Sequence, residues 1–140
     1  MPIAPFQFTV DIVDDDSDVL GSLRFLLETE GFRVRTFSSA SEVLAQLPSA
    51  SPDCIVIDYK MDDMNGLDLV RHLHARGSAP PVVLITGYPD ETIPARAALV
   101  GIRHVVLKPH VEDSLVMHVR SAVAEAVQGQ GAIAHLRKTP

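Results

Sequence analysis

A chain of 140 residues with 46% hydrophobic composition is the size of one ordinary domain and too apolar for wholesale disorder. Eighteen acidic against twelve basic residues give a net charge of -6, which disfavours direct nucleic-acid binding. No apolar run approaches the ~20 residues of a membrane span, Met1–Phe8 lacks the basic and apolar regions of a signal peptide, and the single cysteine excludes an internal disulfide, so a cytoplasmic domain is expected.

Short apolar runs alternate with helical patterns, as in βαβ units around a parallel sheet. Phe8–Val13 reads as the first strand, with Asp11 a poor fit placed near its exposed start. Asp16 or Ser17 caps a helix whose stripe is Val19, Leu20, Leu23, Leu26 and Leu27, and Gly31 closes it. Arg33–Phe37 alternates charged and apolar residues like an edge strand. Ser39 and Glu42 form a capping box before a helix carrying Val43, Leu44 and Leu47, which Pro48 helps to stop. Cys54–Asp58 is an apolar strand ending on a carboxylate, and its thiol is expected to be buried and inert. A helix over roughly Leu67–Arg76 leads to the strand Val82–Thr86. Thr92 starts the next helix, with Pro94 in its first turn. Val105–Leu107 is a fifth strand, and a last helix places Leu115, Val119, Ala122 and Ala126 on one face.

This order predicts an α/β fold: a single flavodoxin-like domain over 8–127 with a doubly wound five-stranded parallel sheet, order 2-1-3-4-5. Residues 128–140, with two glycines and a terminal proline, read as a flexible C-terminal tail. Right-handed crossovers place every strand's carboxyl end on one rim, where such sheets bind ligands.

That rim collects Asp14, Asp15 and Asp16 after the first strand, Asp58 after the third, Thr86 after the fourth and Lys108 after the fifth. Two carboxylates 4 Å apart repel by roughly 4 kcal/mol at an effective dielectric of about 20. A hard dication with oxygen ligands, Mg²⁺, resolves the conflict. A carboxylate beside Mg²⁺ is a competent nucleophile on phosphorus, with Lys108 and Thr86 available to the phosphoryl oxygens.

The stretches Ile12–Asp16, Val56–Gly66, Leu84–Gly87 and Val106-Leu107-Lys108-Pro109 resemble the receiver domain of two-component response regulators, over about Phe8–Val127. The likeness is strongest to receivers of nitrogen-fixation-type regulators. The resemblance implies a phosphoprotein of a phosphorelay, with Asp58 as phosphoacceptor and Mg²⁺ held by Asp14, Asp15, Asp58 and the backbone carbonyl of Lys60. Thr86 would contact the phosphoryl group, Lys108 would pair with an acceptor oxygen, and the Lys108-Pro109 peptide would be cis. Such a protein is no enzyme beyond its own phosphorylation and dephosphorylation. Its donor would be a sensor histidine kinase or histidine phosphotransfer protein, and its target an unknown effector or a second copy of itself.

Three departures stand out. Asp62 takes the place of the usual proline, Val105 stands where relatives carry a switch Tyr or Phe, and no output domain follows, so a stand-alone receiver is expected. Lys60 and Tyr88 flank the acceptor region and are candidate modulators of phosphoryl lifetime. The six histidines share no metal spacing with Cys54 and are expected on the surface. Competing readings are a degenerate receiver acting as an interaction module, a flavin-binding protein, and a metal-dependent phosphohydrolase. The flavin reading lacks a Gly/Ser/Thr-rich loop after the first strand, and the hydrolase reading lacks a cap domain and second acid.

Overall fold

The computed structural model describes residues 7–46, 51–87, 90–108 and 111–138, with side chains through 127. Its strands are β1 (Thr9–Val13), β2 (Arg33–Phe37), β3 (Cys54–Asp58), β4 (Val82–Thr86) and β5 (His104–Leu107). They alternate with α1 (Ser17–Thr29), α2 (Ala40–Ala45), α3 (Gly66–Ala75), α4 (Thr92–Leu99) and α5 (Val111–Lys138). The sheet order β2-β1-β3-β4-β5 and its all-parallel pairing match the expectation.

The local signals act as read. Asp16 caps α1 by accepting from the Asp18 and Val19 amides, and Gly31 follows the helix at φ 96, a left-handed turn that other residues resist. Ser39 caps α2 by accepting from the Glu42 amide, while Glu42 itself accepts from the Ser38 amide and hydroxyl. Leu47 and Pro48 lie outside the described residues, as does Pro109 with its expected cis peptide.

β3 and β4 are buried along their whole length, as central parallel strands must be. One side of the sheet packs Val10, Ile12, Val56 and Val83 against α1 and α5, including Leu23, Leu27, Leu115 and Val119. The other packs Val13, Ile55, Ile57 and Leu84 against α2, α3 and α4, including Val43, Leu67, Val70, Leu73 and Ile93. Two apolar faces thus clamp the sheet between its helices.

Two expectations are corrected. Asp11 is not at an exposed strand start: it lies mid-strand and buried, opposite Arg35 in the β1–β2 register. Arg35 donates from Nε to Asp11 Oδ1 at 2.6 Å and from Nη2 to Oδ2 at 3.0 Å, a bidentate pair that offsets the cost of burying the carboxylate. Burial still raises the Asp11 carboxyl above its ordinary value, with Arg35 opposing. The stretch 128–138, expected as a loose tail, continues α5 through Lys138. Its sequence has no proline before position 140, so two glycines weaken the helix without ending it.

Candidate functional site

The order 2-1-3-4-5 sets β1 and β3 side by side, and their carboxyl ends bring three aspartates together. One carboxylate oxygen from each of Asp14, Asp15 and Asp58 lies within 4.8 Å of the others. Asp14 and Asp58 are buried, whereas Asp15 is exposed at the mouth. Asp14 Oδ1 accepts the Asp16 amide at 2.9 Å, which ties the carboxylate to the start of α1. Its Oδ2 is buried without a hydrogen-bond partner.

Lys108 reaches over from the end of β5, with Nζ 3.2 Å from Asp58 Oδ1. Its backbone amide donates to the Thr86 carbonyl at 2.9 Å, so β4 and β5 are stitched together at the rim. Thr86 is 1% exposed and ends β4 beside β3. Behind Asp58, the Tyr59 amide donates to the Ile85 carbonyl and its own carbonyl accepts from the Gly66 amide, both at 2.7 Å. The loop between them is anchored by Asn65, which caps α3, and by Asp63, whose Oδ2 accepts from the Ser41 amide and hydroxyl.

Electrostatics make the pocket a trap for positive charge. Burial pushes the Asp14 carboxyl from 3.8 up to about 6; the Asp16 amide opposes this, and the negative charge of Asp58 and Asp15 adds to it. Asp58 is also raised by burial, against the pull of Lys108. Two buried carboxylates beside one half-exposed ammonium leave the site short of cation. Together with the partnerless Asp14 oxygen, this all-oxygen donor set fits a hard dication such as Mg²⁺.

The sequence marks three further residues. Lys60 is exposed in the loop after β3, and Val105 is half-buried on β5, paired with Leu84. Tyr88 lies outside the described residues. The histidines are not all solitary: His104 and His118, fourteen residues apart, meet with Nδ1 atoms 3.0 Å apart. Their spacing crosses from a strand to a helix, so no local period announces it. Cys54 is buried, and its thiol is pushed up to about 12 chiefly by burial, which leaves it inert.

A five-stranded sheet with an acidic, lysine-flanked pocket on its carboxyl rim defines a CheY-like receiver. Residues 10–120 match the response regulator receiver domain family, and the chain belongs to it. It is 35% identical to the C4-dicarboxylate transport transcriptional regulatory protein DctR of Rhodobacter capsulatus, over 94% of this chain and 68% of that protein. It is 33% identical to the transcriptional regulatory protein FixJ of Bradyrhizobium diazoefficiens, over 82% of this chain and 56% of that protein. The chain therefore spans roughly half to two-thirds of these curated relatives.

Solved structures agree. A CheY-like receiver domain protein from Methanospirillum hungatei JF-1 superposes with a TM-score of 0.81 at 25% identity, covering 89% of this chain and 99% of that one. The crystal structure of FixJ-N gives 0.76 at 33% identity, covering 86% and 95%. Among the described residues, no helix is long and apolar enough to cross a membrane.

Proposed function

We propose that Asp58 accepts a phosphoryl group, and that Mg²⁺ is held there by Asp14, Asp15, Asp58 and the Lys60 backbone carbonyl. The observation that carries this reading is the partnerless Asp14 oxygen beside a buried Asp58 already paired with Lys108. When bound, the ion supplies positive charge that quiets the carboxylate cluster and the phosphoryl oxygens. An Asp58 carboxylate oxygen forms the new bond to phosphorus while the donor's P–N or P–O bond breaks, and the leaving group departs with that electron pair. Lys108 stays on the acceptor oxygens, and the Thr86 hydroxyl, at the end of the neighbouring strand, serves the transferred group.

The chemistry of such a donor is that of a phosphohistidine on a sensor kinase or phosphotransfer protein. The effect is exerted on an effector through the α4–β5–α5 face, as a shift between two conformations. Acetyl phosphate with Mg²⁺ tests the reading: intact mass should rise by one phosphoryl group, and borohydride trapping should place it on the Asp58 peptide. No adduct, or one elsewhere, leaves only a phosphorylation-independent interaction module.

Two variants probe how the site speaks to that face. Val105 offers no aromatic ring to rotate toward Thr86, so Val105→Tyr should enlarge the beryllofluoride-induced NMR shifts across α4–β5–α5 relative to the parent. Equal shifts in the two proteins count against this route. Lys60→Ala should shorten the acyl-phosphate lifetime by opening a path for water, as read by the decay of the adduct mass. An unchanged lifetime makes Lys60 a solvated loop residue; Tyr88→Ala is the companion test.

A further inference from the structure

His104 enters β5 and His118 stands on α5, and the two rings meet edge to face with centroids 5.2 Å apart at 76°. Their Nδ1 atoms are 3.0 Å apart. On the far side of His104, Glu125 Oε2 lies 3.3 Å from Nε2, where it can accept a hydrogen bond from an Nε2–H. In the Nε2–H tautomer that this contact favours, Nδ1 carries a lone pair facing His118. Two lone pairs at this distance repel unless something positive lies between them. A proton on His118 Nδ1 makes a plain hydrogen bond; a dication makes two coordinate bonds.

We propose that the His104–His118 pair binds a borderline transition-metal dication of the zinc class, with His104 Nδ1 and His118 Nδ1 as its two protein ligands. Imidazole nitrogen suits zinc, copper and nickel rather than the magnesium favoured by the aspartate pocket. With Zn–N bonds of about 2.0–2.1 Å, nitrogens 3.0 Å apart subtend about 95° at the ion, within reach of tetrahedral or five-coordinate geometry after a small ring rotation. Glu125 on the opposite nitrogen completes a carboxylate–histidine–metal line, the outer arrangement that orients a ligating imidazole and raises its basicity. Access exists from both sides, because His104 and Glu125 line one open hollow and His118 lines another beside Val105 and Leu107. The other coordination positions are left to water. The site differs from the phosphoacceptor pocket in place and in ligand chemistry.

The test is zinc added to the whole chain in saturating Mg²⁺, which occupies the aspartates. Affinity is read by competition with a chromophoric zinc indicator, and the imidazole resonances are followed by NMR. One zinc per chain is expected, with both His104 and His118 rings shifted. Uptake should be lost in His118→Gln and in His104→Gln. Glu125→Gln, an exposed change that leaves the fold intact, should weaken binding roughly tenfold. The proposal is overturned if zinc leaves both rings unmoved, if uptake survives in His118→Gln, or if it disappears with Asp14→Asn instead. The first outcome identifies the contact as a hydrogen bond alone.

Discussion

Replacing Asp14 by Asn is expected to move stability and phosphorylation in opposite directions. In the metal-free protein Asp14 is buried, one of its oxygens has no partner, and two further aspartates crowd it. An amide of the same shape removes one negative charge and offers a donor toward Asp58. The gap between 3.8 and about 6 sets a ceiling of about 3 kcal/mol on the gain near neutral pH. A rise of about 1–3 kcal/mol in urea unfolding free energy is therefore expected without metal. The same change deletes a hard oxygen ligand, so Mg²⁺ affinity by calorimetry and acetyl-phosphate labelling should both collapse. An Asp14→Asn protein that labels at the parent's rate removes Asp14 from the ion's shell. One that is less stable than the parent removes the charge-crowding account.

The pH dependence follows with a definite sign. A carboxyl raised in the folded state binds its proton more tightly there than in the unfolded chain. Stability conferred by that proton is full below 3.8, is lost as pH climbs to about 6, and stays lost above. The metal-free parent should thus lose stability over that interval relative to Asp14→Asn. Mg²⁺ must displace the same proton, so its affinity should weaken as pH falls below about 6. Urea midpoints and Mg²⁺ titrations across this range measure both effects.

The gathering of these side chains on one rim was legible because each ends or follows an apolar strand, and parallel topology puts strand ends together. Asp14, Asp58, Thr86 and Lys108 each sit beside a run of Val, Ile or Leu whose period and length are local properties. Asp11 was misplaced for the opposite reason. Its partner Arg35 is twenty-four residues away and comes opposite only when β1 and β2 align in register. An isolated charge in a strand looks like a misfit until its cross-strand neighbour is known. The His104–His118 contact was hidden in the same way, since it joins a strand to the helix that packs over it. The continuation of α5 past position 127 failed to show because glycine lowers helix propensity without forbidding the helix.

Packing around Gly66 was equally invisible in the sequence, and it yields a prediction of opposite sign at two glycines. Gly66 opens α3 directly against β3. A Cβ there would meet Leu84 Cδ1 at 2.8 Å, and the Asp58 carbonyl oxygen and Ile57 Cγ2 each at 3.0 Å. Leu84 is fully buried and the Asp58 backbone is fixed in the sheet, so neither gives way cheaply. Gly66→Ala should cost about 1–3 kcal/mol in urea unfolding, as overpacked cores do. Because one of the crowded atoms is the Asp58 backbone carbonyl, labelling of Asp58 by acetyl phosphate should slow as well. Gly21, inside α1, has open space where its Cβ would project. Gly21→Ala should therefore stabilise by roughly 0.5–1 kcal/mol through reduced backbone entropy, with labelling unchanged. If both substitutions stabilise, the close contact at Gly66 is relieved by movement of α3. The loop after β3 would then be softer than its paired 2.7 Å backbone bonds at Tyr59 imply.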